Sequence, residues 1–197
     1  MRLKSYITEI TFDQKILPIR KTLERDCKEI LQFYRYGKFL YRGIRTNDSD
    51  PIFLTKTPRD DRRPKDTAES IHDYMNKLYK KKFGWEVRNG ISVSTSYGQA
   101  DAYGNVHVFF PADGFKYVWH PDIYDFTNDF AGDWMDSRSF DPDPTFNIDF
   151  QTAAQQLVDT SYDKNIKGAY GYNREMMFWA PKYYLLRNAY YEDVFPK

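Results

Sequence analysis

The 197-residue chain has a single cysteine, Cys27, and three scattered histidines, His72, His107 and His120. One thiol cannot close an intramolecular disulfide, and these residues show no metal-ligand spacing, so neither a disulfide framework nor a metal site is expected. The lone cysteine fits a reducing compartment. An excess of one charge sign is also lacking: lysine plus arginine number 29 and aspartate plus glutamate 28, a formal charge of +1. That removes a whole-surface argument for nucleic acid or anionic membrane and leaves any electrostatic partner local. No apolar run approaches 18 residues, and the segment MRLKSYITEI lacks the apolar core of a secretory signal. No membrane association is expected, and the expected location is the cytoplasm of the producing or host cell. Internal repeats and the familiar glycine-rich nucleotide motifs are missing as well.

Hydrophobic residues make up 41% and charged residues 29%, enough apolar material for one core and one domain spanning 1–197. Aromatics are plentiful at 18%, with 17 tyrosines and 15 phenylalanines, and are read first as core and strand residues rather than as a stacking surface.

Leu23, Cys27, Ile30, Leu31 and Tyr34 fall on one helical face, which predicts a helix over 19–35 that starts after Pro18 and ends at Gly37. KFLYRGI (38–44) reads as a short strand. The charged, proline-containing stretch TKTPRDDRRPKDT (55–67) reads as a loop. A second helix over 67–82 follows from the stripe Ile71, Tyr74, Met75, Leu78 and Tyr79, capped by Asp66 or Thr67 and closed by Gly84. From Gly90 the period changes to two, with Ser92, Ser94 and Ser96 on one face and Ile91, Val93 and Thr95 on the other. GNVHVFFP (104–111) and FKYVWH (115–120), joined through Ala112-Asp113-Gly114, predict a β-hairpin. Residues 121–150 show no sustained period and are expected to form an irregular insertion. A helix over 151–160 and two strands, REMMFWA (174–180) and KYYLLRN (182–188), complete an α+β order.

Three short elements place polar groups where strands usually carry apolar ones. Arg42 in Tyr41-Arg42-Gly43 shares a face with Leu40 and Ile44, where a guanidinium needs a phosphate, a carboxylate or an edge open to water. Ser94-Thr95-Ser96 ends a strand with hydroxyls able to orient a carboxylate or a sugar. Glu175 enters the apolar run Met176 to Trp179, with Asn173 two positions before it.

In this order the three elements resemble the arginine–serine–glutamate signature of the ADP-ribosyltransferase family, supported by Ala100 and Tyr103 after the serine triplet and by EMMFWAPKYYLL after the glutamate. The resemblance spans about 37–188, the expected NAD-binding core, and rests on some 30 positions. It implies a single α+β domain with two packed, mainly antiparallel sheets flanked by helices. It also implies cleavage of the nicotinamide–ribose bond of NAD, without a metal, and transfer of ADP-ribose to a macromolecular acceptor. Glu175 would stabilise the ribose cation, Ser94 would hold Glu175 and the ribose, and Arg42 would anchor the diphosphate. Gly43 would bind the nicotinamide amide through its backbone and Tyr103 would stack on the ring, while Tyr170, Tyr172 and Asn173 would select the acceptor. Asn173 stands where arginine-modifying members carry glutamate, which disfavours an arginine acceptor. Arg42, in place of histidine, disfavours poly-ADP-ribose synthesis.

Arg59, Arg62, Arg63 and Lys65 in the 55–67 loop could reach NAD phosphates or a nucleic-acid acceptor, or pair with Asp60 and Asp61. The setting implied is a toxin or a phage-encoded effector. Two other readings stay open: an NAD glycohydrolase, in which water is the acceptor, and a noncatalytic module that holds a protein partner through the acidic, aromatic 112–150 region. Residues 113–150 carry nine aspartates against Lys116 and Arg138, which would repel nucleic acid locally, whereas Lys77 to Lys82 would attract it.

Overall fold

A computed structural model describes residues 12–34, 37–47, 51–59, 61–62, 67–135, 147–170 and 173–196. Helices α1 (Phe12–Asp26) and α2 (Lys28–Tyr34) come first, followed by β1 (Tyr41–Ile44), β2 (Phe53–Lys56) and α3 (Glu69–Phe83). Next are β3 (Ile91–Ser94), α4 (Tyr97–Asp101), β4 (Asn105–Pro111), β5 (Lys116–Trp119), α5 (Gly132–Met135) and α6 (Ile148–Thr160). The chain closes with α7 (Ile166–Ala169), β6 (Glu175–Trp179), β7 (Tyr183–Arg187) and α8 (Tyr191–Val194). The strands form one antiparallel sheet in the order β2-β7-β4-β1-β3-β6-β5, so the architecture is α+β.

The two sheets expected from the resemblance are joined into one. The halves β2-β7-β4-β1 and β3-β6-β5 meet through the single pairing Tyr41↔Ser94. Phe109 on β4 and Phe178 on β6 lie three strand positions apart, about 14 Å in a flat sheet at roughly 4.8 Å per strand. Their ring centroids are only 5.3 Å apart, so the sheet folds at the β1–β3 seam and its halves face each other. Leu40, Val93, Val108, Phe109, Met176 and Phe178 belong to one buried cluster with the inward stripe Ile16, Ile19, Leu23 and Ile30 of α1 and α2. Most of the aromatic excess is spent in such packing. A second cluster places Ile71, Met75 and Tyr79 of α3 and Phe150, Ala154 and Leu157 of α6 with Val118, Met177, Phe126 and Phe130.

Two local expectations are corrected. The first helix begins at Phe12 and includes Pro18, because Ile16 is buried with Ile19 and Leu23 and this packing outweighs the one backbone hydrogen bond that proline removes. It ends at Asp26, where the Asp113 N–H donates to the Asp26 carbonyl at 2.8 Å and the Asp113 carboxylate accepts from the Glu29 N–H at 2.9 Å, starting α2. The same contacts explain why 104–120 is not a hairpin. Both edges of β4 are occupied, by β1 and β7, and β5 pairs with β6 in the other half. Ala112-Asp113-Gly114 is a crossover docked on the α1–α2 junction.

Helix α3 starts two residues later than expected, with Ala68 at the cap position and no side-chain cap. Thr67 lies against the Thr127 hydroxyl at 3.3 Å instead, and Asp66 lies outside the described residues. Gly84 does close α3, at φ +78°, with its N–H on the Lys80 carbonyl. Helix α6 reaches back to Ile148 because the Asn147 side chain accepts from the Phe150 N–H at 2.9 Å. The start of the irregular region folds as a π-helical turn, Thr127–Ala131, followed by α5. The loop expected over 55–67 loses its first two residues, since Thr55 and Lys56 end β2 by pairing with β7, and neither β2 nor helix α4, four and five residues long, is among the expected elements. No helix among the described residues is long and apolar enough to cross a membrane.

Candidate functional site

The fold at the β1–β3 seam opens a cavity of about 150 Å³ whose walls include Arg42, Gly43, Ser94, Tyr103 and Glu175. Three chain segments supply them. Strand β1 brings Arg42, β3 and the turn after α4 bring Ser94 and Tyr103, and the first residue of β6 is Glu175, directly opposite Ser94 in the ladder. Arg62, Arg88, Ser92, Gln99, Asp125 and Thr127 also line this cavity. Arg42 and Arg62 are shared with a neighbouring cavity of about 530 Å³, so the combined space is on the scale that holds a ligand of several hundred Å³.

Glu175 is fixed at both oxygens. Ser92 Oγ donates to Oε1 at 2.6 Å, and the Phe126 N–H donates to Oε2 at 2.9 Å. The holding hydroxyl is therefore Ser92, and not Ser94 as expected. Ser94 donates to Gln99 Oε1 and accepts from the Ser96 N–H at 2.9 Å, while Gln99 Nε2 donates to the Tyr124 carbonyl at 2.6 Å. Ser94 thus ties the start of α4 to the 121–127 segment, two residues before the Phe126 N–H that donates to Glu175.

The arginines are anchored to backbone rather than to the carboxylate. Arg42 donates to the Ser92 carbonyl, and Arg62 donates to the Gly90 carbonyl at 2.5 Å. Burial holds the Arg42 guanidinium below its ordinary range. Burial, and then the charges of Arg88 and Arg42, push Arg62 down to about 10, so it remains a cation at neutral pH. Of the other basic residues of that loop, Arg59 lines the larger cavity, and Arg63 and Lys65 lie outside the described residues.

Gly43 is required, but by protein packing. A Cβ there would stand 1.8 Å from the Ala100 carbonyl oxygen and 2.9 Å from Tyr103 Cβ, so the missing side chain admits α4 against β1. Tyr103 is 53% exposed on the wall, and its hydroxyl donates to Asp125 Oδ2 at 2.6 Å. Asp125 Oδ1 accepts from the Thr127 and Asn128 N–H groups, and Asp129 Oδ2 accepts from the Tyr124 and Asp125 N–H groups. These two aspartates of the acidic segment fold the segment against the site.

The expected acceptor-selecting residues separate. Tyr170 is not on the cavity: its ring packs against the main core, and burial raises its hydroxyl well above the usual phenol range. Asn173 is exposed at φ +54°, a left-handed turn that asparagine tolerates, so the strand alternation does not extend back from Glu175 to it. Tyr172 lies outside the described residues. The basic stretch of α3 is partly committed elsewhere. Lys82 Nζ donates to the carbonyls of Val158, Asp159 and Ser161, closing α6, and Lys80 pairs with Glu86.

Sequence reasoning missed Ser92, Arg88, Gln99 and the Phe126 N–H. Ser92 shares the strand face of Ser94, so alternation could have found it, whereas Arg88 sits in a three-residue turn, Val87–Asn89, that has no period to read. No family model matches the chain, and comparison with curated proteins and with solved structures gave no match.

Proposed function

We propose that the protein is an NAD-dependent mono-ADP-ribosyltransferase, which cleaves the nicotinamide–ribose bond and passes ADP-ribose to a macromolecular acceptor. The observation that supports it most is the meeting of Arg42, Ser94, Tyr103 and Glu175, from three distant segments, on one cavity in which Glu175 is fixed at both oxygens and guanidinia face it. The residues suit the substrate's chemistry: cations for a diphosphate, a carboxylate for a cation that forms on a sugar.

In this reading Arg42 and Arg62 bind diphosphate oxygens and orient the substrate across the two cavities. As the C–N bond breaks, its electron pair leaves with nicotinamide and positive charge develops on the ribose. Glu175 accepts a hydrogen bond from the ribose 2′-hydroxyl and faces that charge, an interaction strongest in the transition state. Ser92 and the Phe126 N–H keep the carboxylate aimed while leaving lone pairs free for the sugar. The acceptor nucleophile then bonds to ribose C1′ and gives up its proton.

The test uses NAD labelled on the adenylate, incubated with the protein alone and with host protein or RNA, beside Glu175→Gln. Label on a macromolecule, dependent on Glu175, is the expected result and names the acceptor class. Label recovered only as free ADP-ribose would make water the acceptor, and NAD left intact across the acceptor panel would overturn the reading.

A further inference from the structure

Arg88 has no ion pair and no side-chain hydrogen bond among the described residues. It is only 6% exposed, yet its Nε finds no hydrogen-bond partner among the described residues, and its guanidinium carbon lies 3.7 Å from the centroid of the Phe126 ring. A buried guanidinium in this state is costly unless an anion or an aromatic face compensates it. Here the Phe126 ring lies against the guanidinium, and Arg88 lines the cavity.

The local charge balance points the same way. Three guanidinia, Arg42, Arg62 and Arg88, line the cavity with two carboxylates, Glu175 and Asp125. Both carboxylates are engaged elsewhere: Glu175 by Ser92 and the Phe126 N–H, Asp125 by Tyr103 and two backbone N–H groups. Arg42 and Arg62 each spend one donor on a backbone carbonyl. Cations thus outnumber carboxylates in a partly desolvated space, burial and then the charges of Arg88 and Arg42 push Arg62 down, and none of the three arginines forms an ion pair among the described residues.

We propose that Arg88 is a phosphate-binding residue, the third arm of a cradle with Arg42 and Arg62 that takes the diphosphate of the substrate. Phe126 gives this arm a second consequence: the residue whose ring supports Arg88 is the one whose N–H holds Glu175. Phosphate seated on Arg88 thus bears on the segment that aims the carboxylate.

The inference rests on the reading of an NAD-cleaving site, and its test does not need turnover. Inorganic diphosphate is titrated by calorimetry into the unmutated protein, Arg88→Gln and Arg88→Lys, each first checked by thermal unfolding. Charge-assisted hydrogen bonds to phosphate predict weakening of about tenfold or more for Arg88→Gln and a smaller loss for Arg88→Lys, which keeps the charge without the planar fork. The unmutated protein should also lose affinity as salt is raised, more steeply than Arg88→Gln. Diphosphate affinity equal to the parent's in either folded variant would overturn the assignment, as would absence of diphosphate binding by the parent. Diphosphate binding that depends on Arg88 in a protein that leaves NAD intact would sink the proposed activity and keep the anion site.

Discussion

Two carboxylates of this molecule are held in opposite ways. Asp26, at the α1–α2 junction, accepts from Arg25 at 2.6 Å, from Lys182 at 2.7 Å and from the Tyr184 hydroxyl. Its charge is met by cations, and those bonds hold its carboxyl well below the usual range. Glu175 is gripped as firmly, but by a hydroxyl and a backbone N–H, and it has no ion pair among the described residues although arginines share its cavity. Those arginines are tied to the carbonyls of Ser92 and Gly90. A structural carboxylate is neutralised where it stands. In the proposed reading Glu175 meets a positive charge on a substrate, and neutral donors orient it better for that task, because a bound cation would weaken it.

Replacing Glu175 with Gln breaks the comparison most directly. Glutamine keeps the shape, can accept the Phe126 N–H, and can donate to a rotated Ser92 hydroxyl, so only the negative charge is lost. NAD cleavage should fall by on the order of a thousandfold, as for removal of a group that acts in the transition state. Thermal unfolding should stay within a few degrees of the parent. Near-full turnover in single-turnover assays would remove Glu175 from the chemistry.

Arg42→Lys is expected to act on binding before chemistry. Lysine keeps the charge but cannot reach both the Ser92 carbonyl and a phosphate with one planar fork. A rise in KM of about tenfold to a hundredfold, with a smaller fall in kcat, is predicted for the loss of one charge-assisted contact and its geometry. A drop confined to kcat would place Arg42 with Glu175 rather than with the anion site.

The third effect separates two neighbouring hydroxyls. Ser92→Ala removes one of the two groups that aim Glu175 and should lower kcat by about tenfold, the worth of one hydrogen bond to a charged acceptor. Ser94→Ala leaves the carboxylate's own bonds intact and loosens Gln99 and α4, so a smaller loss in kcat together with a lower Tm is expected. The opposite order would restore to Ser94 the role that the resemblance implies for it.

That pair also marks how far the sequence could be read. Alternation along β3 set Ser92 and Ser94 on one face correctly, but a period of two cannot say which of them touches a side chain on the neighbouring strand. Arg42 and Glu175 were legible because each interrupts an apolar strand. Arg88 and the Phe126 N–H were not, since one lies in a three-residue turn and the other in a segment without a period. The hairpin expected over 104–120 failed for a related reason. An Asp-Gly turn is a local signal, whereas the partners of β4 come from residues 41–44 and 183–187, and long-range pairing decides.

Asp26→Asn gives the smallest effect, and it falls on stability rather than on activity. Because the folded state depresses this carboxyl, its contribution is fully present above the unfolded value, about 3.9, and is lost as pH falls through the folded one. The variant should therefore unfold a few degrees below the parent at pH 7, and the gap should close as the pH drops below about 4. Lys182 is 40% exposed in this pair, so added salt should narrow the neutral-pH gap without abolishing it, the Tyr184 hydrogen bond being indifferent to screening. A gap that persisted unchanged in acid would mean that Asp26 serves the junction by shape alone. The contrast with Glu175 would then lie in hydrogen bonding rather than in how each charge is met.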